Sequence, residues 1–163
     1  MNSDLKEALL WITSLLKKHE IPFVLSGGLA AHAYGSTRIV RDIDLDIAND
    51  GFEKLEIDVQ PHIVFGPEIH TSKALKNLLM QLKYHNIQID IAGAENAQIF
   101  DNGLWKPDRT NLSNYEIKSI FGIEVPVMNP SDFIVYKSKS PRPEDLKDIV
   151  AVREYMELNH SAL

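Results

Sequence analysis

The chain contains no cysteine, so neither a disulfide framework nor a thiolate zinc site can form, and the absence fits a cytoplasmic protein. Long apolar runs are missing too. Met1 to Lys18 sets Asp4, Lys6, Glu7, Lys17 and Lys18 among its apolar residues, so no signal segment or membrane span is expected there. Positive charge is in deficit. Seventeen Lys and Arg against 23 Asp and Glu leave a formal charge of −6, and a nucleic-acid partner would need a local basic patch. Repeats and low-complexity segments are also lacking. What remains is an ordinary globular composition, 44% apolar and 25% charged, over 163 residues, a length for one domain (1–163) with a real core.

Leu5, Leu9, Ile12 and Leu16 follow one another at helical spacing, so Asp4 to His19 reads as an amphipathic helix ended by Pro22. Phe23-Val24-Leu25 is a short apolar strand that stops at Gly27-Gly28, and Leu29 to Tyr34 suits a short helix. Arg41 to Ala48 alternates strictly, with Ile43, Leu45 and Ile47 on one face and three aspartates on the other. Phe52 to Ile57 suggests one or two helical turns, and His62 to Phe65 a short strand. Leu78 to Tyr84 and Ile87 to Ile91 form a hairpin around His85-Asn86, and Tyr115 to Ile120 and Ile123 to Val127 a second around Phe121-Gly122. Asp101-Asn102-Gly103 marks a turn. Ser131 or Asp132 can cap a helix to about Lys139; after a break at Ser140 to Pro143, a last helix carries Leu146, Ile149, Val152 and Met156 on one side, which makes the region 130–158 helical. The order implies an α+β (or α/β) domain with a mixed sheet flanked by helices.

Each chemical signal has a bland reading when taken alone. Aspartates along a strand also protect an exposed sheet edge from pairing, Gly27-Gly28 also serves as a plain strand-to-helix turn, and Asp90 could be a solvated residue near a strand end. In combination they are more specific. Gly27-Gly28, then thirteen residues, then Asp42-Ile43-Asp44-Leu45, then Ile89-Asp90-Ile91 resembles the pattern of the nucleotidyltransferase superfamily. The similarity is greatest to small members that include lincosamide-modifying enzymes and abortive-infection toxins. It covers Phe23 to Asp90, with a weaker echo in Tyr136-Lys137 and Glu144-Asp145-Leu146-Lys147-Asp148-Ile149. Two positions depart from the pattern: Ser26 stands where an apolar residue is usual, and Gly28 where many members have serine. A hydroxyl for the triphosphate would then come from Ser26 or elsewhere. A pair at Asp44 and Asp46 would lengthen the gap to fifteen, which favours Asp42 and Asp44 and leaves Asp46 solvated or supporting.

The resemblance implies a metal-dependent transfer of a nucleoside monophosphate from a nucleoside triphosphate to an acceptor. Asp42, Asp44 and Asp90 would hold magnesium, as two ions when nucleotide is bound, and Asp90 could instead accept a proton. Ser26, Gly27, Gly28, Arg38, Arg41 and Lys137 would meet the nucleotide. The acceptor is open among a small molecule, a transfer RNA and a protein. The alternative is a non-catalytic member that binds nucleotide or a protein partner, as in a toxin–antitoxin pair. His32, Tyr34 and Trp105 read as packing or rim residues, and no histidine spacing suggests zinc.

Overall fold

Alternating apolar and acidic residues make β2, Asp42–Ile47, the strand on which the others are arranged. In the computed structural model, which describes residues 3–139 and 141–160, its Ile43, Leu45 and Ile47 are buried while its aspartates take the opposite face. β1, Phe23–Ser26, runs antiparallel on one side of it and β5, Ile87–Gly93, parallel on the other. β4, Leu75–Tyr84, follows β5; β3, Ile63–Thr71, and β6, Gln98–Asp101, both pair with β4, and β7, Leu104–Pro107, ends that side. Beyond β1 lie β9, Ile123–Met128, and β8, Tyr115–Ile120. The result is a mixed, mostly antiparallel sheet.

Two helix layers cover it. α1, Ser3–Lys18, buries Leu5, Leu9, Ile12 and Leu16, and α3, Gly51–Val59, adds Phe52, Leu55 and Val59 to the same apolar cluster as the isoleucines of β2 and β5. Each such side chain contributes about 1.5–3 kcal/mol by leaving water. α2, Gly27–Ala33, packs on β1, β2 and α5, Pro143–His160, while α4, Pro130–Ser138, packs along α5. Among the described residues no helix is long and apolar enough to cross a membrane.

The expected α+β architecture is the observed one, with local differences. α3 is nine residues long and β3 also nine, both longer than their apolar cores suggest. β6 and β7, around the Asp101-Asn102-Gly103 turn, are four-residue strands whose order comes from pairing with β4 and with each other, which local pattern does not reveal. Ser140 lies outside the described residues. On α5 Leu146 is 53% exposed, and the inward side instead carries Asp145, Asp148, Ile149 and Val152, because cations from other elements neutralise the two acids.

The cap of α4 also differs. Asn129 Oδ1 accepts the Ser131 N–H at 3.0 Å and Pro130 takes the first helical position, so neither Ser131 nor Asp132 caps the helix. Asn129→Ala should lower stability by about 1 kcal/mol in urea unfolding, and Ser131→Ala by clearly less. Equal losses would contradict the assignment.

Candidate active site

Strand pairing sorts the polar face into rows. Asp44 stands opposite Ser26 of β1 and Asp90 of β5, and Gln81 of β4 extends the row beyond Asp90. Paired residues project to the same side, so Asp42, Asp44 and Asp90 share one face of the sheet. Gln81 and Gln88 donate their amides to Asp90 Oδ1 at 3.0 and 2.9 Å, which fixes that carboxylate and leaves Oδ2 without a donor among the described residues.

The glycine pair makes room for side chains. Gly27 has φ +65°, and a Cβ there would lie 2.0 Å from Asp44 Oδ2; a Cβ on Gly28 would lie 2.4 Å from Arg38 Nη2. α2 has only seven residues, and Ser26 before it is buried with no side-chain cap bond. Gly28 lines the main cleft, whereas Ser26, Gly27 and Asp90 do not.

That cleft, about 1390 Å³, brings Gly28, Arg38, Arg41, Asp42, Asp44 and Lys137 together with Gln88, Arg142 and Lys147. Three of its cations are engaged already. The Arg38 guanidinium grips both oxygens of the fully buried Asp148, with Nε at 3.1 Å from each and Nη2 at 2.8 Å, and Ser36 Oγ donates to the same carboxylate at 2.8 Å. Lys137, buried, donates to Asp145 at 2.9 Å, and Arg142 bonds Asp145 as well. Arg41 is exposed and makes no ion pair among the described residues, and the same holds for Lys147. Sequence reasoning missed Lys147 and Arg142. The available signal was helical spacing, which turns Lys147 and Ala151 toward the cleft while Asp145, Asp148 and Val152 face inward.

Positive charge is scarce where the strand carboxylates crowd. Asp44 is pushed up to about 7 by burial and by repulsion from Asp42 and Asp90, against which Lys137 works only in part. Asp46 is pushed up to about 6, mainly by burial, with Asp108 adding to the rise and the Thr110 hydroxyl, donating at 2.6 Å, opposing it. Neither Asp42 nor Asp44 accepts a hydrogen bond or ion pair among the described residues. Paired hard oxygens short of positive charge suit a divalent cation. The set is spread out, however. Among the described residues only Asp4, Glu7 and His85 bring three ligand atoms within 4.8 Å of one another, and this group, at α1 and the β4–β5 turn, joins residues that sequence spacing does not connect.

A family model described as nucleotidyl transferase of unknown function (DUF2204) matches residues 5–163. The chain belongs to this nucleotidyl transferase family. Solved nucleotidyltransferase structures share the fold. A candidate nucleotidyltransferase from Thermotoga maritima superposes with TM-score 0.72 at 18% identity, over 96% of this chain and 95% of that one. The lincosamide antibiotic adenylyltransferase LnuA, lincomycin-bound, gives 0.64 at 17%, over 91% and 96%. ANT(2")-Ia in complex with adenylyl-2"-tobramycin gives 0.57 at 16%, over 96% and 94%. No curated protein matches the chain. As a nucleotidyltransferase, the chain carries the carboxylate row on a fold used by adenylyltransferases of small molecules.

The crowding predicts a pH effect on the metal-free nucleotidyltransferase. An acid raised from 3.8 to about 7 on folding contributes full stability below its unfolded value and loses it as pH climbs to about 7. In EDTA, Asp44→Asn should therefore melt with the wild type near pH 4 and exceed it by at least about 1 kcal/mol above pH 7. Thermal melts across that window check this; a mutant less stable at pH 8 would refute it.

Proposed function

We propose that this family member transfers a nucleoside monophosphate, with ATP as the donor, to a small acceptor, and that the triphosphate lies in the cleft beside Asp42 and Asp44. The observation that carries this reading is the register of Asp44 against Asp90 on adjacent strands, one row from Asp42, beside a cleft with cations on its rim. Adenylyltransferase neighbours, solved with lincomycin and with an adenylylated tobramycin, support ATP and a small acceptor.

Asp42 and Asp44 are the residues that would hold magnesium, and their lack of donors among the described residues fits that ion. Bound there, magnesium supplies charge neutralisation for the phosphates and the departing pyrophosphate. Arg41 and Lys147, without an ion pair among the described residues, line the cleft where the phosphate oxygens would lie. Arg38 and Lys137 act from their ion pairs by adding positive potential over Gly28 and Asp44. Asp90, held through Oδ1, has Oδ2 available to take the acceptor's proton.

A cytoplasmic setting with triphosphate at hand belongs to this reading. No observation favours the non-catalytic alternative or a toxin–antitoxin role. Binding can be tested without knowing the acceptor, because ATP alone would meet the uncompensated aspartates. Magnesium and ATP together should raise the melting temperature by several degrees, the effect of roughly 2.7 kcal/mol at a hundredfold excess over Kd. ATP alone should do little and magnesium alone less than the pair, and Asp44→Asn should abolish the joint shift. A shift with ATP alone, or one that survives in Asp44→Asn, would count against the site.

A further inference from the structure

The polar face of the sheet carries a second cavity, of about 210 Å³, beyond the cleft. Its floor includes Asp46 of β2 and Ala92 of β5, which pair with each other one row past Asp44 and Asp90. Two residues along a strand advance roughly 7 Å. The cleft therefore lies on the Asp42 side of the Asp44–Asp90 row and includes Asp44, and the cavity lies on the Asp46 side, one row away. Tyr136 of α4 borders the cavity and feels the charges of both Asp44 and Asp46.

Asn77 of β4 gives an independent sign of a ligand. It is only 7% exposed, lines the cavity, and its side-chain amide has no hydrogen-bond partner among the described residues. No described side-chain polar atom is both sealed off and unpartnered, so the Asn77 amide opens into the cavity. The amide is thus left without a protein partner on the cavity wall, where a ligand's polar group would meet it. The charges point to the kind of ligand. Among the described residues Asp46 accepts only from the Thr110 hydroxyl and Asp132 only from the Asn114 amide at 3.0 Å, so neither has a cationic partner there, while Asp108 pairs with Lys139. Three carboxylates against Arg109 and Lys139 leave the lining net negative.

We infer that this cavity is the acceptor site and that it takes a small hydroxylated amine. Asp46 and Asp132 meet the ammonium group, Asn77 meets a polar substituent, and a hydroxyl faces the Asp44–Asp90 row. The volume lies below the range for drug-sized ligands, and the phosphates of a nucleic acid would meet the carboxylates that lack cations. The inference rests on the donor reading of the cleft. In the transfer, the acceptor hydroxyl oxygen bonds to the α-phosphorus and its proton passes to Asp90. The bond from that phosphorus to the bridging oxygen breaks, and pyrophosphate leaves with the electron pair.

The test incubates the enzyme with magnesium and ATP labelled at the α-phosphate, with either the small-metabolite fraction or the macromolecular fraction of a cell extract, and identifies labelled products by mass. Two variants accompany it: Asn77→Leu, and Val135→Trp, which narrows the cavity from an exposed position on α4. The expected result is a labelled small product bearing an amine, reduced at least about tenfold in both variants, with the joint magnesium–ATP melting shift unchanged. Should Asn77→Leu fail to fold, Val135→Trp decides. Label in RNA or protein, a small product without an amine, normal transfer by Val135→Trp, or loss of the melting shift in that variant would each overturn the inference. So would the absence of any small product while the wild type shows the shift. If the wild type shows no shift, the donor reading has failed first, and the acceptor inference falls with it.

Discussion

Carboxylates on one face of a sheet repel one another, and the molecule around β2 is organised by that repulsion. Asp42, Asp44 and Asp90 are brought together by the parallel pairing of β2 with β5, which is built on Ile43, Leu45, Ile89 and Ile91 beneath them. Apolar burial on one face thus holds a destabilising arrangement on the other. Burial raises Asp44 further, since desolvation and like charge act in the same direction. A site stressed in this way is the kind at which binding a cation has most to relieve.

The compensating charges are rationed by α5. Asp148 fixes Arg38 and Asp145 fixes Lys137, so the cations nearest the strand carboxylates are tied to acids of their own. Breaking a buried pair typically costs about 3–5 kcal/mol, so these links also dock α5 against the loop that follows α2 and against α4. Lys137 consequently offsets Asp44 only in part, and the row keeps its appetite for external positive charge. Gly28 belongs to the same design, because any side chain there would meet the Arg38 guanidinium.

How much of this could be read from the chain follows physical lines. The strict alternation in Asp42–Ile47 set the face of each residue, and the apolar flanks of Asp90 marked a strand, so the row was legible as a combination. Register was not, since nothing local says that Asp44 meets Asp90. Gly27-Gly28 was visible as a turn, but its reason, the space taken by Asp44 and Arg38, is tertiary. The same limit explains the misread side of α5, where Leu146 looks like core and Asp148 like surface until Arg38 is in place. Asn77, too, looks like an ordinary strand residue, and only the cavity facing it shows an amide without a partner.

The central claim is that the uncompensated row on β2 and β5 is where cation and triphosphate meet. Its most direct test is a crystal structure of the protein grown with manganese, which stands in for magnesium, and a non-hydrolysable ATP analogue, with the anomalous signal used to locate the metal. The account predicts metal on Asp42 and Asp44, in contact with the triphosphate, and Arg41 or Lys147 on its phosphates. Metal found instead at Asp4, Glu7 and His85, or a triphosphate bound away from β2, would contradict it.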